Sequence, residues 1–157
     1  MSSWRDRATW ESLLTEAGCP ICRRGSPRDA LAQLEASWVE MPEAAPMRGY
    51  VCIVARRHVV ELHDLADPEA DALMRDVRRV TRAVASVVHP VKLNVEQHGN
   101  TIPHLHLHVF PRYPGDPFEG RPIDPRGVTH AVYAPGELAI VRDAVARALG
   151  AHATQRV

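Results

Sequence analysis

The chain has 157 residues, 45% of them hydrophobic and 24% charged, with 19 Lys plus Arg balanced by 19 Asp plus Glu. This composition describes one globular domain over residues 1–157 with a proper core, and it argues against disorder. Zero formal net charge offers no bulk field to a polyanion, so long nucleic acids are poor candidates for partners, whereas a pocket for a small phosphorylated ligand needs only a few well-placed donors.

The opening Met1-Ser-Ser-Trp-Arg-Asp-Arg is charged and lacks the apolar run of a secretory signal, and no stretch approaches membrane-spanning length. The expected compartment is the cytoplasm, with no membrane partner. Trp4, Trp10, Leu13 and Leu14 recur at helical spacing before Gly18, which predicts a short helix over 3–17 with Cys19-Pro-Ile-Cys22 in the turn behind it. Alternation from Leu31 to Met41 and the run Tyr-Val-Cys-Ile-Val within Met47 to Ala55 predict two antiparallel strands joined through Pro42 to Pro46. Cys52 falls inside the second and reads as core.

Asp67-Pro-Glu-Ala, followed by Leu73, Val77, Val80, Val84 and Val88, predicts the longest helix, about 68–88, stopped by His89-Pro90. Two further strands, Val91 to Val95 and Leu105 to Phe110, flank a Gly99-Asn100 turn. Pro111 to Pro125 reads as loop, and Pro135-Gly-Glu to Leu149 as a closing helix. The fold class is therefore α+β, with no internal repeat.

The chemistry concentrates in His104-Leu-His106-Leu-His108-Val-Phe110. A strand sends alternate side chains to one face, so three imidazoles line up opposite Leu105, Leu107 and Val109. All three cannot share one metal ion. Residues four apart on a strand lie roughly 13 Å apart, whereas two imidazoles reaching one zinc from opposite sides span only about 11 Å between β-carbons. Three cysteines in a reducing compartment rarely pair, and no βαβ pattern surrounds Cys19-x-x-Cys22 as a thioredoxin-like site requires, so zinc is the better reading of that pair.

The segment His104-Leu-His-Leu-His-Val-Phe-Pro-Arg112 resembles the signature of the histidine triad (HIT) family of nucleotide hydrolases and transferases. Gly49-Tyr-Val-Cys-Ile-Val-Ala-Arg-Arg-His58 resembles the family's glycine-led strand, basic residue and histidine. The resemblance covers about residues 19–115. It implies an antiparallel sheet of about five strands with one long helix and short terminal helices, and a homodimer. It also implies cleavage at the α-phosphate of nucleoside phosphoramidates or dinucleoside polyphosphates through a covalent nucleotidyl-histidine. Gly99-Asn-Thr-Ile-Pro-His-Leu-His resembles a bacterial branch often labelled diadenosine polyphosphate hydrolases. A non-catalytic nucleotide-binding or interaction protein is the alternative.

By resemblance His106 is the nucleophile, a role a neutral imidazole suits near neutral pH. His104 lends its carbonyl to hold the His106 ring, and His108 donates to a non-bridging phosphate oxygen. Thr101 stands where relatives carry a hydroxyl that protonates the leaving group. Asn94 resembles the family's phosphate-contacting amide, with Gln97 as a substitute and Asn100 as a third candidate; ordinary turn chemistry is the other reading of all three. Related proteins hold structural zinc with two cysteines and two histidines, which maps to Cys19, Cys22, His58 and His104, with His63 competing. Two thiolates and two imidazoles close a tetrahedral site against water. The stretch from Gly115 to Val157 departs from the shortest relatives, and its start is expected to cover a partner chain's pocket or to set leaving-group preference.

Overall fold

Residues 3–124, 127–128 and 130–154 are described in the computed structural model of the chain. Five strands, β1 (Ala30–Gln33), β2 (Ser37–Glu40), β3 (Val51–Ala55), β4 (Lys92–Gln97) and β5 (His106–Arg112), form one sheet in the order β1-β2-β3-β5-β4. Every neighbouring pair is antiparallel. Helices α1 (Arg7–Leu13), α2 (Pro20–Arg24), α3 (Asp67–Val88) and α4 (Glu137–Thr154) complete an α+β architecture. None of the helices is long and apolar enough to cross a membrane, among the described residues.

Helix α3 follows its sequence pattern closely. Pro68 sits in the first turn, the stripe Leu73, Val77, Val80, Val84 and Val88 is buried, and His89 ends the helix in the left-handed region at φ 49° before Pro90. The stripe packs on Val39, Val51, Ile53, Leu107 and Val109 of the sheet, and α4 adds Val141, Val145 and Leu149. Each such side chain contributes about 1.5–3 kcal/mol on burial. This face of the sheet is therefore built from carbon. Gly49 (φ 81°) is required where β3 begins, because a β-carbon there would stand 2.8 Å from Val88 Cγ2.

Three local expectations are corrected. The helix expected over 3–17 is broken: α1 spans Arg7–Leu13, capped by the Asp6 carboxylate, which accepts from the Thr9 amide at 3.2 Å. The following turn brings Gly18 against the helix end, where a β-carbon would meet the Ser12 carbonyl oxygen at 2.0 Å. Cys19 to Cys22 do not form a turn. Cys19 is the N-cap of α2, Pro20 opens that helix, and Gly25 closes it at φ 85°. Finally, the imperfect alternation over 31–41 is a hairpin of two strands, β1 and β2. Its turn is held from α3, where the buried Asp76 carboxylate accepts from the Ala36 amide at 2.9 Å and the Ser37 hydroxyl at 2.8 Å.

The register assigns the second face. Cys52 pairs with His108 and Val54 with His106 across β3 and β5, while Glu96 pairs with His108 and Asn94 with Phe110 across β4 and β5. Partners directly opposite share a face, so these side chains all lie opposite α3. Met47, Phe118 and Ile123 from loops pack over Tyr50, Cys52, Val54 and Phe110 on that side. The stretch after β5 thus folds back over its own sheet.

Candidate active site and metal centre

The three triad histidines meet three different environments. His104 is buried, 1% exposed. Its Nε2 lies 2.7 Å from the Ala55 carbonyl oxygen, an acceptor only, so Nε2 carries the proton and Nδ1 is bare. That bare nitrogen points at sulfur, 3.4 Å from Cys19 Sγ and 3.5 Å from Cys22 Sγ. His58 repeats the arrangement: Nε2 meets the Leu14 carbonyl oxygen at 3.0 Å, and Nδ1 lies 3.4 Å from Cys22 Sγ. The two Nδ1 atoms are 3.2 Å apart, an unfavourable meeting of lone pairs unless a cation stands between them.

Cys19, Cys22, His58 and His104 therefore form a cluster in which all four ligand atoms lie within 4.8 Å of one another. Burial, and then the neighbouring Cys19, push the Cys22 thiol up to about 12, so thiolate forms here with a cation to share it. The competing ligand His63 is exposed and lies 3.8 Å from Asp64 Oδ1, outside the cluster. The turn after α1 and the short helix α2 deliver the two sulfurs, while the segment just after β3 delivers His58 and the segment just before β5 delivers His104.

His106 is held by its own strand, with Nδ1 2.6 Å from the His104 carbonyl oxygen. The proton therefore sits on Nδ1, and Nε2 is the nitrogen with a free lone pair. Burial lowers the ring's affinity for a second proton, partly opposed by the bond to the His104 carbonyl. His108 is pushed further down, to about 3, by burial and then by His106 and His98; its Nδ1 lies 2.6 Å from the Tyr50 hydroxyl. Both rings are neutral at physiological pH.

His106 and His108 line an open cleft of about 650 Å³ together with His98, Gly99, Asn100, Thr101, Ile102, Ile123 and Asp124. Thr101 and Asn100 thus lie where the triad opens to solvent. Asn94 shares the triad's face but does not line the cleft, and its side-chain oxygen accepts from Arg112 at 3.3 Å. Gln97 pairs with Leu107 on the helix-covered face and donates to Glu61 at 3.0 Å. Of these two candidates for the phosphate-contacting amide, Asn94 is thus the one on the triad's face. Ile123 and Asp124 show that the segment after Gly115 lines this chain's own cleft.

Several groups around the triad were not singled out from sequence. Tyr50 and Cys52 touch His108, Glu40 raises the proton affinity of His106 by its charge, and the His98 ring meets His108 edge-on at 4.9 Å. Cys52 is buried as expected of a core residue, yet it also makes polar contact. The one signal available was strand parity, which puts Tyr50, Cys52 and His108 on a common face once the pairing of β3 with β5 is known.

An antiparallel sheet with alternate histidines on the strand beside a Cys-Cys-His-His cluster is the architecture of a histidine triad protein. The solved structure of a zinc-bound histidine triad family protein from Mycobacterium smegmatis superposes with a TM-score of 0.64 over 89% of this chain and 99% of that one, at 22% identity. Residues 25–115 match the HIT domain, and the chain belongs to the HIT family. It is 36% identical over 74 residues to an AP-4-A phosphorylase of Mycobacterium tuberculosis, covering 43% of this chain and 38% of that protein. It is 30% identical over 89 residues to an asymmetrical bis(5'-nucleosyl)-tetraphosphatase of Schizosaccharomyces pombe, covering 54% and 48%. The chain spans less than half the length of these two curated relatives.

Proposed function

We propose that the protein is a nucleotidyl hydrolase or transferase that cleaves at the α-phosphate of dinucleoside polyphosphates or nucleoside phosphoramidates, with His106 as nucleophile. The observation that carries this reading is the bond from His106 Nδ1–H to the His104 carbonyl oxygen, 2.6 Å long, which leaves the lone pair of Nε2 on a ring that lines the cleft. The names of the relatives, one a phosphorylase and one a tetraphosphatase, support the substrate class.

The Nε2 lone pair attacks the α-phosphorus, and the bond from phosphorus to the leaving oxygen or nitrogen breaks, with its electron pair departing on the leaving group. Thr101, at the cleft mouth, gives the leaving group a proton. The nucleotidyl-imidazolium keeps its Nδ1–H on the His104 carbonyl, which spreads the positive charge. His108 donates to a non-bridging oxygen as negative charge gathers there, and Asn100 contacts phosphate from the same rim, with Asn94 as a second candidate. Water, or another acceptor, then attacks the phosphorus in line, its proton restores the Thr101 hydroxyl, and the phosphorus–nitrogen bond breaks with its electron pair on Nε2, which returns His106 neutral.

Zinc fits the four-residue cluster. Tetrahedral zinc sets about 3.3 Å between two nitrogens and about 3.6 Å between nitrogen and sulfur, against 3.2 Å and 3.4 to 3.5 Å here. Cys19, Cys22, His58 and His104 hold it, and it supplies a closed structural cross-link between the amino-terminal segment and the sheet. The same reading makes residues 1–157 one domain of a cytoplasmic protein and that protein, as the family resemblance implies, a homodimer.

The test is product release from diadenosine tetraphosphate and an adenosine phosphoramidate, with His106→Asn as control. Nucleoside monophosphate formation is expected to fall about 10⁴-fold or more in the variant, as when a nucleophile is removed. Equal release by both proteins contradicts the assignment.

A further inference from the structure

Tyr50 and Cys52 stand on β3 beside His108 of β5 and are 7% and 6% exposed. The Tyr50 Oη lies 2.6 Å from His108 Nδ1 and 2.8 Å from Cys52 Sγ, and the Tyr50 and His108 rings stack with centroids 5.9 Å apart. With Cys52 Sγ also 3.5 Å from His108 Nδ1, three polar atoms meet among largely buried side chains, and each available proton must be placed. An imidazole nitrogen is a good acceptor, a phenol a good donor, and a thiol weak in both senses. The order that pairs the strong donor with the strong acceptor runs from Cys52 S–H to Tyr50 Oη, and from Tyr50 O–H to His108 Nδ1. The reverse order gives the phenol proton to sulfur and leaves a bare His108 Nε2, a second lone pair set against phosphate oxygens.

We propose that Tyr50 and Cys52 are positioning residues that hold His108 in the Nε2–H tautomer, so that an uncharged ring presents a proton to a non-bridging oxygen of the bound α-phosphate. The inference deepens the nucleotidyl-transfer reading and rests on it. Burial supports the proton count: it pushes the Cys52 thiol up to about 12, raises the Tyr50 phenol and lowers His108 to about 3, so all three stay neutral across the physiological range. An uncharged donor gains most when charge gathers on the phosphate oxygen, and it grips the resting phosphate less than an imidazolium does. Its contribution therefore falls on the transition state.

Long-range proton–nitrogen NMR of the imidazoles reads the tautomer without any substrate. In the wild-type protein His108 is expected to carry its proton on Nε2 with Nδ1 bare. Tyr50→Phe keeps the ring and its 5.2 Å stack on Phe110 but removes the donor. His108 then shifts to a mixture of tautomers, and kcat falls about 10-fold or more, as for outer partners that orient a functional histidine, with KM changed less. Cys52→Ser, which keeps a donor, retains the Nε2–H form, whereas Cys52→Val shifts it in part. A protonated Nδ1 in the wild type, a wild-type tautomer in Tyr50→Phe, or a shifted tautomer with unchanged kcat overturns the proposal. Wild-type protein that holds the stated tautomer yet releases no nucleotide sinks the reaction assigned above while upholding the grip of Tyr50 on His108.

Discussion

His104 and His108 lie at opposite ends of one row and are used in opposite senses. At the cysteine end, a backbone carbonyl takes the Nε2 proton of His104 and turns a bare Nδ1 toward two sulfurs. At the cleft end, the Tyr50 hydroxyl occupies Nδ1 of His108 and the proton faces the substrate side. His106, between them, has its proton on Nδ1 and its lone pair on the other nitrogen. Alternation along the strand brings three identical side chains to one face; the acceptor or donor each meets sets which nitrogen carries the proton, and on the proposed reading that suits them to be ligand, nucleophile and proton donor.

The comparison breaks most severely at the cysteine end. Cys22→Ser is expected to lower the zinc content from about one per chain and to cost on the order of 4 kcal/mol of stability, since a structural metal contributes its binding energy to folding. Elemental analysis and denaturant unfolding check this together. Metal-free protein of unchanged stability contradicts the structural role. His104 also carries the carbonyl that holds His106, so turnover falls as well.

A smaller change sharpens the contrast at the cleft end. Arg112 and Asp116 are 11% and 5% exposed and make two bonds of 2.8 and 2.9 Å, and Arg112 also donates to the Phe118 carbonyl. They anchor the loop that carries Phe118 and Ile123 over the triad's face. Asp116→Asn leaves a partly buried guanidinium without its counter-ion and is expected to cost about 3 kcal/mol at pH 7, with zinc content unchanged. Arg112 holds the Asp116 carboxyl down at about 2, below the roughly 3.9 of an unfolded chain. The stabilisation is therefore complete above about pH 4 and is lost as pH falls through about 2. Unfolding curves of wild type and variant should converge toward pH 2; a constant gap contradicts the assignment.

Sequence showed the triad and the long helix because each depends on local spacing, whereas the Cys-Cys-His-His set came from the family resemblance. The hairpin within 31–41 was hidden because its turn, Leu34-Glu35-Ala36, has no Gly, Pro or Asn and is held by Asp76, 40 residues further on. Helix α2 was hidden because five residues carry no periodicity; only Pro20 and Gly25 mark its ends. Cys52 looked like core because it is core, Tyr50 stood out only as part of a strand, and their contact with His108 arises only when β3 pairs with β5. Gln97, offered as a substitute for Asn94, differs from it in strand parity and so faces the other side of the sheet, which spacing shows only once β4 is known to be a strand through both.

The central claim is that His106 takes the nucleotide. Reaction of the wild-type protein with diadenosine tetraphosphate, quenched in acid-free denaturant within the first turnover and read by intact mass and peptide mapping, tests it most directly. The account predicts one nucleoside monophosphate on the peptide containing His106 and none on the His106→Asn protein. Turnover with no adduct on wild type at any time, or an adduct on another residue, contradicts it.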